Sequence, residues 1–138
     1  MSEQANIVFI HVDQMMPNVI PSCAGKADAH LKHLSMPGME EIAANGISFT
    51  KSYCANPVCV PARTSWFTGR ATCEHGVLRN GDAPMLDIPN IGRWLSDKTD
   101  YLPVYTGKTH VYTKESIDKC FKVLHGAHPK GEFCDTLT

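Results

Sequence analysis

Hydrophobic and polar positions fall into short blocks along this chain, most of them bounded by glycine or proline. Ile7 to Val12 is a nearly continuous apolar run, rich in β-branched residues and ended by Asp13. Such a run predicts a strand buried on both faces, as in parallel sheets, with His11 inside it as a hydrogen-bonded core residue. Residues 14 to 35 carry Pro17, Pro21 and Gly25 and predict no long element. Pro37 to Asn45 places Met39, Ile42 and Ala43 at helical spacing, with Gly46 following as the expected C-terminal cap. Ile47 to Tyr53 alternates well enough to predict a second strand.

The loop Cys54 to Val60 leads into a predicted helix from Pro61 to Thr68, stopped by Gly69. Trp66 and Phe67 are its expected core anchors. Pro89 to Lys98 predicts another helix, with Ile91, Trp94 and Leu95 on one side, and Tyr101 to Tyr105 predicts a strand. The alternation of strands and helices argues for a layered α/β fold with a mostly parallel sheet and flanking helices. After residue 110 the pattern fades, and His125 to Thr138 shows no closing element. His125 and His128 read as exposed loop residues.

Composition changes this picture little. The 138 residues suggest about one domain, 43% hydrophobic and 20% charged, with a formal net charge of -1. That balance gives no electrostatic case for nucleic acid or an anionic membrane. The N-terminus lacks the basic region of a signal peptide, and the first apolar run is too short for a membrane span, so a cytoplasmic location is expected. Six cysteines, at 23, 54, 59, 73, 120 and 134, show no CxxC spacing.

Candidate chemistry centres on Cys59-Val60-Pro61-Ala62-Arg63. Pro61 suits the first turn of a helix, which puts Cys59 just before the helix, where unpaired N–H groups and the positive end of the dipole favour an anion such as sulfate or phosphate. Arg63, in the first turn, could offer a bidentate fork to the same anion. The competing reading of a lone Cys-x-Pro-x-Arg match is a structural loop cysteine with a solvated arginine.

The surrounding residues decide between them. Cys59 to Arg70, Cys-Val-Pro-Ala-Arg-Thr-Ser-Trp-Phe-Thr-Gly-Arg, resembles the first sulfatase signature along its whole length. Asn6 to Gln14 resembles that family's first strand and metal-binding edge, and Tyr105-Thr106-Gly107-Lys108-Thr109-His110 is similar to its second signature. The three motifs stand in the family's order, between residues 6 and about 110.

The resemblance implies an alkaline-phosphatase-like α/β fold, of which this chain would be the N-terminal part of the catalytic domain, with 111–138 poorly defined. It implies sulfate-ester hydrolysis, with Cys59 converted to formylglycine by a separate formylglycine-generating enzyme. One hydroxyl of the aldehyde hydrate would attack sulfur and expel the alcohol; proton loss from the other would then expel sulfate and regenerate the aldehyde. Arg63 would hold the hydrate, Lys108 the sulfate oxygens, and His110 would orient the diol or exchange protons with it. Asp13, Gln14 and the modified Cys59 would ligate a divalent cation, calcium being the expected ion.

Gln14 departs from the second Asp of many relatives, and the Asp-Gln pair resembles the choline-sulfatase and phosphonate-monoester-hydrolase branches. Asn80 matches an active-site asparagine of the phosphonate hydrolases, though a plain Asn-Gly turn explains it as well. The Lys108/His110 pair favours a sulfate ester, with a phosphonate or phosphate ester as the alternative. His75 reads as a packing or capping residue. Sulfatases are several times longer than this chain, and Asp118 and Asp135 lack the Asn or His that follows the family's later metal-ligating Asp. A fragment or a truncated non-catalytic relative, with a homo-oligomeric partner or a missing C-terminal portion, is therefore also open.

Overall fold

The computed structural model describes residues 4–20, 34–82, 88–111 and 117–123, and the chain separates into two compact units, Met1–Ser52 and Tyr53–Thr138. His125 and His128 lie outside the described residues.

In the first unit a short 3-10 turn, Pro17–Val19, precedes helix α1, Pro37–Ala44. Proline starts α1, where its missing N–H would have no helical partner anyway. The helix ends differently from the expectation. Asn45 caps it with negative φ, and its side-chain Nδ2 donates to the Glu41 carbonyl at 2.9 Å, so Gly46 is not the cap. The predicted strands fail here: residues 7–12 and 47–53 have no regular secondary structure. A strand is stabilised by its partners more than by its own residues, and a β-rich run without a ladder stays irregular. Consequently Ile7, Val8, Phe9, Ile10, Ile47 and Phe49 are exposed, and His11 is exposed rather than a core residue.

The second unit is built on helix α2, Cys59–Thr68. It starts two residues earlier than the proline predicts. Val58 is the N-cap and Pro61 stands at the third helical position, which still has no intrahelical acceptor for an N–H. Gly69 ends it with φ 67, a left-handed conformation that favours glycine. The unpredicted single turn α3, Thr72–His75, follows, and the Glu74 carboxylate accepts from the Ala71 N–H at 2.8 Å.

Helix α4, Ile91–Lys98, has Asn90 as a side-chain N-cap, its Oδ1 accepting from Arg93 N at 3.0 Å. The face it buries is not the expected one. Ile91 and Trp94 are exposed, whereas Gly92 is buried against the Cys120 carbonyl and the Phe121 ring. Strand β1, Val104–Tyr105, pairs in parallel with β2, Lys122–Val123, in the register Val104↔Lys122 and Tyr105↔Val123. This two-stranded ladder is the sheet among the described residues; the broad parallel sheet expected from the sequence is not seen among them.

The core joins Val60 and Phe67 of α2 to Val77, Val111, Ile117, Cys120 and Phe121, with Trp66 and Tyr105 packed on it. Residues beyond 110, where the sequence pattern fades, thus supply more than half of its members. Phe67 is the hub. Its ring centroid lies 4.2 Å from Trp66, 5.8 Å from Tyr105 and 5.8 Å from Phe121. Removing a buried phenylalanine of this kind costs about 3–5 kcal/mol. That packing is what fixes α2, and with it the motif. Among the described residues no helix is long and apolar enough to cross a membrane.

Candidate active site

Cys59 is the first residue of α2, half-buried and a free thiol. The sequence places it just before the helix among several open N–H groups, and the structure corrects both points. The Val60 N–H donates to Asn80 Oδ1 at 2.9 Å, Pro61 has no N–H, and the Ala62 N–H already reaches the Val58 carbonyl at 3.0 Å. The helix dipole still points its positive end here, but an anion would find few backbone donors to bind.

Asn80 is therefore more than a turn residue. It lies in a turn closed by Asp82 N–H to the Arg79 carbonyl at 3.1 Å, and it supplies from 20 residues away the cap that Val58 cannot. Asp82, absent from the sequence reading, anchors the turn: its carboxylate accepts from Leu78 N at 2.8 Å, Arg79 N at 3.1 Å and Arg79 Nε at 3.0 Å. The Leu78 N–H first and the Arg79 side chain next hold the Asp82 carboxyl below the usual carboxylate range. An Asp directly after an Asn-Gly pair is the signal that would have found it.

Arg63 is only 4% exposed and sits in the second turn of α2, not the first. Its Nη1 donates to the Lys108 carbonyl at 2.6 Å, so that part of the expected bidentate fork is already engaged. The same carbonyl accepts from the Tyr105 hydroxyl at 2.6 Å. Burial pushes the Tyr105 phenol above its ordinary value of 10.0, with the nearby Arg63 charge opposing, so it stays protonated and a donor at neutral pH.

The segment beyond β1 is irregular: Gly107 has φ 90 and His110 has φ 54. A positive φ at a residue other than glycine is uncommon and concentrates at functional sites. Thr109 is buried, and Lys108 and His110 are half-buried. Arg63 and Lys108 are thus directly joined, and His110 lies on the same short segment. Asn80 meets the N-terminal end of α2, one turn before Arg63.

His75 behaves as the sequence predicts. The Val77 N–H donates to its Nδ1 at 3.1 Å, which leaves Nε2 to carry the proton and donate to Ser65 Oγ at 2.8 Å. At 1% exposure it ties α3 to α2 and lines no open site.

Asp13 and Gln14 belong to the first unit and form an exposed turn, Gln14 with φ 56. Their oxygen donors suit a hard cation in kind. In number they fall short, since one carboxylate and one carboxamide are far from the roughly six to eight oxygens calcium takes. Among the described residues no three His, Cys, Asp or Glu side chains come together to hold a metal ion. Among the described residues the donors do not complete a cation site.

Against known proteins, the Sulfatase family model matches residues 5–136. The chain belongs to the sulfatase family. That membership carries an α/β fold of the alkaline-phosphatase-like class. The chain is similar to an uncharacterised sulfatase, YidJ, of Escherichia coli (strain K12), 32% identical over 109 residues, covering 79% of this chain and 20% of the relative. It is 31% identical over 111 residues to an ulvan-active sulfatase of Formosa agariphila, covering 80% of this chain and 21% of that protein. With a choline-sulfatase of Rhizobium meliloti the identity is 30% over 105 residues, covering 76% and 19%. The chain therefore spans about a fifth of the length of the curated relatives it matches. No solved structure matches it.

Proposed function

We propose that this chain carries the nucleophile side of a sulfate-ester hydrolase, with Cys59 as the precursor of a formylglycine hydrate. The observation that carries the reading is the 2.6 Å link from Arg63 on the nucleophile helix to the Lys108 carbonyl, joining the two signature motifs. Family membership supplies the sulfate-ester chemistry, and the Lys108/His110 pair is its sulfate-binding side. In this reading one hydroxyl of the residue-59 hydrate attacks sulfur and the alcohol leaves. Loss of the second hydroxyl's proton, with His110 as acceptor, then breaks the C–O bond and releases sulfate. Arg63, held nearly dry, supplies fixed positive charge, and Lys108 binds the sulfate oxygens.

A divalent cation, calcium by expectation, would polarise the sulfate when bound. Asp13 and Gln14 would be its ligands from this chain, and the rest of its oxygens must come from outside the donor set described above. The wider parallel sheet of the alkaline-phosphatase-like fold belongs to the same proposal. So does a separate formylglycine-generating enzyme as the partner that modifies Cys59.

The phosphonate alternative draws on Asn80, but capping the Val60 N–H gives that residue a structural role that needs no ligand. The Lys108/His110 pair favours the sulfate ester. Two measurements test the proposal. Mass spectrometry of the tryptic peptide from Ser52 to Arg63, from protein made with the modifying enzyme, should show residue 59 as the aldehyde. Protein so modified should hydrolyse an aryl sulfate faster than a phosphonate monoester. An unmodified thiol, or the reverse preference, would sink it.

A further inference from the structure

We propose that Tyr105 is a positioning residue of this site: by donating to the Lys108 carbonyl beside Arg63 Nη1, its hydroxyl holds the Lys108–His110 segment in register with the nucleophile helix. The inference rests on the sulfatase reading for its catalytic meaning, but its structural content stands apart from it.

The segment needs such a hold. Gly107 at φ 90 leaves the chain before it free to bend, while His110 has φ 54, and a residue other than glycine keeps such a backbone only where its surroundings impose it. The Lys108 carbonyl is where they do so. It accepts from two donors on different elements, Arg63 Nη1 of α2 and Tyr105 Oη of β1, each at 2.6 Å. Donors from two elements fix a carbonyl's direction as well as its distance, and with it the chain leading to Lys108 and His110. The phenol can act this way because its own ring is fixed. Its centroid lies 5.8 Å from Phe67 and 5.5 Å from Phe121, and the raised proton affinity keeps the hydroxyl a donor.

The plain competitor is a tyrosine that merely fills the core and satisfies its hydroxyl at the nearest carbonyl. Tyr105→Phe separates the two, because it keeps the ring and removes only the hydroxyl. Lys108's carbonyl would retain Arg63, so the effect should be local. Amide hydrogen exchange should accelerate roughly three- to tenfold at Lys108, Thr109 and His110, the worth of one hydrogen bond, and stay unchanged in α2 and α4. Tyr53→Phe, at a ring that is 95% exposed, is the control and should change neither region.

In protein bearing the aldehyde at residue 59, kcat for an aryl sulfate should fall by a similar factor with KM changed little. Unchanged exchange at 108–110, or acceleration spread evenly over α2 and α4, overturns the proposal. So does local loosening with kcat intact. If the unsubstituted protein hydrolyses no sulfate, the sulfatase reading fails. The exchange data then still decide whether Tyr105 holds the segment.

Discussion

At the scale of single residues, the site is organised by side chains that serve backbone groups rather than one another. Asn80 is the clearest case. Without it the Val60 N–H at the start of α2 would lose its acceptor, because Val58 has no capping side chain. Asn80→Ala should therefore cost about 1 kcal/mol, the usual worth of a helix cap, read from urea denaturation. Asn80→Asp keeps the acceptor and adds a negative charge at the positive end of the helix, so it should retain stability or gain a few tenths of a kcal/mol. Equal losses in both variants would show that the carboxamide acts some other way. The sequence made Cys59, Arg63, Asn80, Lys108 and His110 visible because they stand in contiguous motifs. It could not show that Asn80 caps α2 from 20 residues away, or that Tyr105 and Arg63 share one carbonyl. Those are long-range facts, and spacing within a motif carries no information about them.

Among the elements, the three longer helices were legible, whereas of the predicted strands only the end of the 101–105 run forms one, for a physical reason. α1, α2 and α4 announce themselves by local signals, a proline start, a glycine stop, an Asn cap, and their boundaries moved by only a residue or two. The apolar runs 7–12 and 47–53 look like strands, but a strand exists only in a ladder, and within the described residues only 104–105 and 122–123 form one. Helix α4 adds a subtler lesson, since its apolar stripe suggested Ile91 and Trp94 inward while Gly92 makes the close approach. A Cβ built on Gly92 would lie 2.5 Å from both the Cys120 carbonyl oxygen and the Phe121 ring. In an open helix Gly→Ala would stabilise by about 1 kcal/mol. Here the sign should reverse: Gly92→Ala should destabilise by about 1–3 kcal/mol as α4 is forced off the 120–121 turn. Thermal unfolding of the variant checks it, and a raised midpoint would mean that the turn yields easily.

For the whole molecule, the two units differ in kind. The second has a core around Phe67, whereas no described residue of the first is buried. Val8 is 81% exposed, Ile47 81% and Phe49 78%, as are other large apolar side chains near them in sequence. Runs of this composition are stable in water only when paired and covered, and uncovered they are templates for association with another chain. The relatives this chain matches are about four times its length. It follows that the 138 residues alone should bind a hydrophobic dye and self-associate at micromolar concentration, with the first unit responsible. Sedimentation velocity should show the association, and Val8→Lys with Phe49→Lys should suppress it while leaving amide protection in α2 unchanged. Placing lysine on exposed apolar positions costs the second unit nothing, because its core contains neither residue. A monomeric, dye-silent chain would mean instead that these runs find partners within the chain itself, and the sheet inferred from the family would then already be forming in this segment.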